Sequence, residues 1–102
     1  MDYKEIKKLI SYSEDGIISK EINISNSGNK IKTTLFCMAK NTKISEHTST
    51  KEGYVYVIEG NGTFNLEGKD IIMQAGVLIN LNRNAKHSLK AEENTSFLLF
   101  LT

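Results

Sequence analysis

The apolar positions follow two successive patterns along the chain. In residues 2–12, Ile6, Leu9 and Ile10 recur at helical spacing with Lys4, Lys7 and Lys8 on the other side, which predicts a short helix. A single stripe of that length is marginal alone and is expected to pack on the main body. Ser13-Glu14-Asp15-Gly16 reads as a stop, so residues 1–14 form an N-terminal helical segment. After Gly16 the period changes to two. Ile18, Ile22 and Ile24 share one face of a predicted strand over 17–25, and Asn26-Ser27-Gly28-Asn29 is a turn. Ile31, Thr33, Leu35, Cys37 and Ala39 then alternate with Phe36 and Met38. The odd-numbered set reads as inward, which leaves Phe36 and Met38 outward.

Further strands are predicted at Tyr54–Glu59, Thr63–Glu67, Asp70–Gln74, Val77–Leu81, His87–Ala91 and Ser96–Leu101. Asn61-Gly62 predicts a two-residue hairpin, with Gly68-Lys69, Ala75-Gly76 and Glu92–Thr95 as later breaks. Short strands without long intervening helices exclude a parallel α/β sheet and indicate an all-β sandwich or barrel. The chain reads as one domain over 1–102, with the barrel spanning 17–101. Tyr54, Tyr56 and Ile58 oppose Val55 and Val57, so both faces of that strand are expected to be covered. Packing under the N-terminal segment is the favoured cover for the tyrosines; self-association is the competing one, with Phe36 and Met38 joining the same surface.

Composition narrows the partners. The 102 residues carry 13 basic and 12 acidic side chains, a formal charge of +1. The lysines are scattered, which argues against nucleic acid. Cys37 is the sole cysteine, which suits a reducing compartment. MDYKEIKKLI has no apolar core for a signal peptide. The longest apolar runs, Tyr54–Ile58 and Phe97–Leu101, fall far short of the roughly twenty residues a bilayer span takes. A soluble, cytoplasmic protein is expected.

The candidate chemistry lies in two stretches, NTKISEHTSTKEGYVYVIEGNG (41–62) and AGVLINLNRNAKHSL (75–89), each holding one of the two histidines. Gly60-Asn61-Gly62 is better explained as a turn than as a phosphate cradle, and no Ser-His-Asp arrangement has local support.

These stretches resemble the paired motifs of the cupin superfamily. The first family motif runs Gly, five residues, His-x-His, three or four residues, Glu, six residues, Gly; His47 matches its first histidine and Gly60 its closing glycine. The second runs Gly, five residues, Pro-x-Gly, two residues, His; Gly76 and His87 match, with Asn82 and Asn84 replacing the proline and glycine. Asparagine tolerates the left-handed backbone such a turn needs. The resemblance implies an all-β jelly-roll barrel (a double-stranded β-helix) with the short N-terminal helix outside, and His47 and His87 facing each other inside it.

In the family, the two histidines and the glutamate of the first motif and the later histidine hold one divalent metal. Two of those four positions are changed here. Ser49 stands for the second histidine and Gly53 for the glutamate; Glu52 lies one residue early, with outward parity. A metal-free barrel is therefore favoured, over one ion (Zn, Ni, Mn or Fe) held by His47, His87 and either Glu52 or water. Cys37 reads first as a small buried hydrophobe, and second as a thiol lining the same pocket as the histidines and Ser49. The resemblance implies a homodimer. The expected function is binding of a small polar or amphipathic molecule in the barrel mouth. A metal-dependent dioxygenase or isomerase is the alternative, and a structural homodimer the third reading.

Overall fold

The computed structural model describes residues 3–22 and 31–102; the expected turn at 26–29 and the end of the first predicted strand lie outside that range. Among the described residues, nine strands follow one 3₁₀ turn at Ile6–Lys8. They are β1 (Ile17–Glu21), β2 (Lys32–Met38), β3 (Lys43–His47), β4 (Gly53–Glu59), β5 (Gly62–Leu66), β6 (Lys69–Met73), β7 (Leu78–Leu81), β8 (His87–Ala91) and β9 (Thr95–Leu101). A five-stranded sheet in the order β1-β2-β9-β4-β7 faces a four-stranded sheet in the order β3-β8-β5-β6. All pairings are antiparallel. This is the expected all-β barrel of two apposed sheets.

Alternation decides what fills it. Met38, Val55, Val57, Ile79, Leu81 and Phe97 come from the inner face of the larger sheet. Phe64, Met73, Leu89 and Ala91 answer from the smaller one. Phe36 and Phe97, cross-strand partners on β2 and β9, stack with centroids 5.1 Å apart. Such a stacked aromatic pair adds ~0.5–1.5 kcal/mol beyond its area.

The phase of β2 is opposite to that expected. Phe36 and Met38 point into the barrel, while Leu35 and Cys37 belong to a second apolar cluster with Ile22, Ile18, Ile58 and Leu98. The reason is physical: both faces of β2 are covered, so alternation separates two sets of side chains without saying which one is central. The second cluster is roofed by Ile6, Leu9, Ile10 and Tyr12. The N-terminal segment therefore packs where expected, but as a 3₁₀ turn and extended chain rather than a helix over 2–12. It covers Ile58 and leaves Tyr54 and Tyr56 exposed.

Two turns also differ. Asn61-Gly62 makes no hairpin, because β4 and β5 belong to different sheets; the pair carries the chain from one sheet to the other. The two-residue hairpin is Glu67-Gly68, between the paired residues Leu66 and Lys69. Its φ values of 51° and 83° are both positive, as a type I′ turn requires. β3, with Ile44 as its one half-buried apolar residue, carries too weak an alternation to stand out in the sequence.

Tyr12 fastens the N-terminal segment. Its phenol donates to the Glu59 carboxylate at 2.8 Å. Its pKa is pushed up to about 12, first by burial; the nearby Ser96 hydroxyl opposes, and the bond to Glu59 and its charge add to the rise. The Ser96 Oγ is itself buried without a partner of hydrogen-bond geometry. Since the folded pKa exceeds the unfolded one, this attachment is fully present below about pH 10 and is lost as pH rises through about 12. In an ultraviolet alkaline titration one tyrosine should ionise later than the others, and the Tyr12→Phe variant should lose that late step.

Candidate functional site

The site depends on an irregularity in β3. Ile44 pairs with Leu89 and His47 with His87 on β8, so three steps along β3 match two along β8. A regular strand would have carried the inward parity of Ile44 to Glu46. The extra residue is a β-bulge, and it brings His47 opposite His87 instead. On β8, His87 needs no such device, since it lies two residues from the inward Leu89.

The two imidazoles meet edge to face, with centroids 4.1 Å apart and planes at 61°. His87 also stacks on Phe64, 5.6 Å away and nearly parallel. His87 is only 5% exposed, whereas His47 sits at the open side. Each ring is fixed in the same way. The Nδ1–H of His47 donates to the Ser45 carbonyl at 2.8 Å, and that of His87 donates to the Ala85 carbonyl at 2.9 Å. Burial pushes the His87 pKa down, the Ala85 bond opposes, and His47 adds to the fall. The histidines border a void of about 50 Å³ whose other walls are Phe36, Ile44, Val55, Phe64, Leu81, Leu89, Phe97 and Leu99. The convergence expected from the motif spacing is therefore present.

The other expected site residues lie elsewhere. Ser49 follows the end of β3, its hydroxyl accepting from the Lys51 N–H at 3.1 Å and its carbonyl accepting from the Asn84 N–H at 2.7 Å. Asn84 takes φ 64°, the left-handed role expected of it. Cys37, fully buried, is on the face of β2 turned away from the void, which corrects its placement as a pocket thiol. Glu52 is exposed and lines an outer groove with Tyr54, Asn80 and Phe100, which corrects its place as a metal ligand. Sequence reasoning missed the apolar walls, Phe36 above all, because it had the phase of β2 reversed.

Metal chemistry can be tested on these residues. Among the described residues no three His, Cys, Asp or Glu side chains gather as a metal site. Position 53, where the motif has its glutamate, has no room for any side chain: a Cβ there would meet the Phe100 carbonyl oxygen at 1.6 Å. The donor set is two imidazoles, short of what a tightly held divalent ion requires. The residues present do not fit that group.

Residues 34–102 match the model of the Cupin domain. Three solved structures show the same fold. A conserved protein of unknown function from Streptococcus pyogenes has a TM-score of 0.84 at 18% identity, over 98% of this chain and 85% of that one. A cupin 2 conserved barrel domain protein from Leptotrichia buccalis gives 0.82 at 27%, over 94% of this chain and 45% of that one. A variant of salicylate 1,2-dioxygenase from Pseudoaminobacter salicylatoxidans gives 0.75 at 16%, over 84% of this chain and 26% of that one. No curated protein matches the sequence.

Gly53→Ala should destabilise the fold by ~2–3 kcal/mol, because β4 or β9 has to move. Gly68→Ala, where the space is open and φ alone is unfavourable, should lose ~1 kcal/mol. Urea unfolding of both variants compares them; equal losses would mean that position 53 relaxes freely.

Proposed function

The chain belongs to the cupin family, and from that premise we propose that it is a small-molecule-binding protein whose ligand enters the barrel beside His47 and His87. One observation carries the reading: the two histidines converge at 4.1 Å at the edge of a void otherwise walled by apolar side chains. A few convergent polar groups in an apolar recess is the usual form of such a site. The void of about 50 Å³ takes a small molecule, or the tip of a larger one. A metal-dependent dioxygenase or isomerase reading is weaker, since neither Glu52 nor position 53 offers the missing carboxylate. A free, fully buried Cys37 is compatible with the cytoplasmic location we propose, and no described helix is long and apolar enough to cross a membrane.

Methyl NMR during titration with a set of small organic fragments tests the pocket. Methyl signals of Ile44, Val55, Leu89 and Leu99 should shift together and saturate. Shifts confined to exposed methyls such as Leu78 would overturn the reading.

A homodimer is also proposed, through the outer face of the larger sheet. Tyr54 (51% exposed), Tyr56 (40%) and Leu78 (60%) lie there uncovered, with Tyr56 and Leu78 cross-strand partners. Phe36 and Met38, inside the barrel, take no part. A stable interface buries on the order of 1,200 Å². Light scattering behind a sizing column should give twice 11.5 kDa for the parent chain and the single mass for Tyr56→Lys/Leu78→Lys.

A further inference from the structure

The hydrogen bonds that hold the two histidines also settle which kind of molecule the recess accepts. Each Nδ1 lies against a backbone carbonyl oxygen, at 2.8 Å for His47 and 2.9 Å for His87. A carbonyl only accepts, so in each neutral ring the proton resides on Nδ1 and Nε2 keeps its lone pair. Neither Nε2 has a hydrogen-bond partner among the described residues. The remaining walls are hydrocarbon and aromatic and carry no side-chain donor to satisfy those lone pairs. The recess thus offers two acceptors and no donor.

We propose that its ligand is an uncharged molecule with a hydroxyl on a short aliphatic body, the hydroxyl donating its one proton to the Nε2 of His47 at the open side. This rests on the pocket reading above and adds the class of ligand to it. An acceptor-only group, such as a ketone or ether oxygen, would face lone pairs with lone pairs. A carboxylate would do so with a full charge among apolar walls, where an unpaired ion is costly. Size follows from the void of about 50 Å³, about a third of the ~150 Å³ cavity that admits benzene. By that measure about two carbons fit inside, with the rest of the molecule at the open side beside His47; an aromatic ring does not fit without displacement of the walls.

2-Propanol, acetone and acetate are near-isosteric probes that separate donor, acceptor and anion. They are titrated into the ¹⁵N-labelled full chain at a pH of about 8, above the ordinary histidine range, with imidazole ¹⁵N and inner-wall methyl signals as readouts. The free protein should show both rings as Nδ1–H tautomers. 2-Propanol should move the His47 Nε2 signal saturably at a concentration at least tenfold below that needed for acetone or acetate. His47→Phe, which removes the acceptor at the open side, should reduce that preference severalfold while leaving the fold intact by circular dichroism. Acetone or acetate binding as well as 2-propanol, an Nε2–H tautomer at either ring, or an unchanged preference in His47→Phe would overturn the donor inference and leave the pocket reading standing. No shift of the Leu89 and Leu99 methyls with any probe, nor with the wider fragment set, would overturn both.

Discussion

The candidate site depends on one extra residue in β3. Between Ile44 and His47 the strand advances three positions while β8 advances two. Regular alternation would otherwise have placed Glu46 opposite His87. A carboxylate there would lose part of its hydration against the apolar walls of the void, which is unfavourable. The bulge replaces it with an imidazole, which accepts an apolar neighbourhood on its ring face and keeps a polar edge. The edge-to-face contact with His87 and the Nδ1–H bonds to the Ser45 and Ala85 carbonyls then fix both rings. Chemistry at the recess therefore follows from backbone register first and from residue type second.

The five-stranded sheet solves a different problem. Its inner face supplies the barrel core, and its outer face would expose a second row of large apolar side chains. The N-terminal segment covers the portion built from Leu35, Cys37, Ile58 and Leu98. Tyr54, Tyr56 and Leu78 remain open. A short 3₁₀ turn and a few extended residues cannot roof the whole sheet. The same limit explains why the segment is not a long helix. Its stripe of Ile6, Leu9 and Ile10 has one narrow groove to fill, and Tyr12 reaching Glu59 holds the chain extended beyond it.

Most of the barrel was legible in the sequence because two-residue periodicity and turn residues are local signals. The strands from β4 to β9 were located within a residue or so, and Asn84 was correctly assigned a left-handed turn. What was not legible depends on partners distant in sequence. Alternation in β2 separated Leu35 and Cys37 from Phe36 and Met38, but only the position of the N-terminal segment decides which pair is central. Asn61-Gly62 has the composition of a hairpin, yet the chain crosses between sheets there, while Glu67-Gly68 makes the tight turn. Of the site, the meeting of His47 and His87 was foreseen from motif spacing. The bulge that permits it was not, since nothing in Lys43–His47 distinguishes a regular strand from one with an added residue.

Position 53 links the fold to what the site has become. Where the family motif has a glutamate, this chain has a glycine, and β9 has closed onto it so that a Cβ would lie 1.6 Å from the Phe100 carbonyl oxygen. Restoring the carboxylate therefore means reopening a strand pair as well as changing a side chain. Backbone carbonyls hold each histidine ring, and Phe64 packs against His87. An arrangement whose rings are positioned by the backbone keeps its geometry without a central ion.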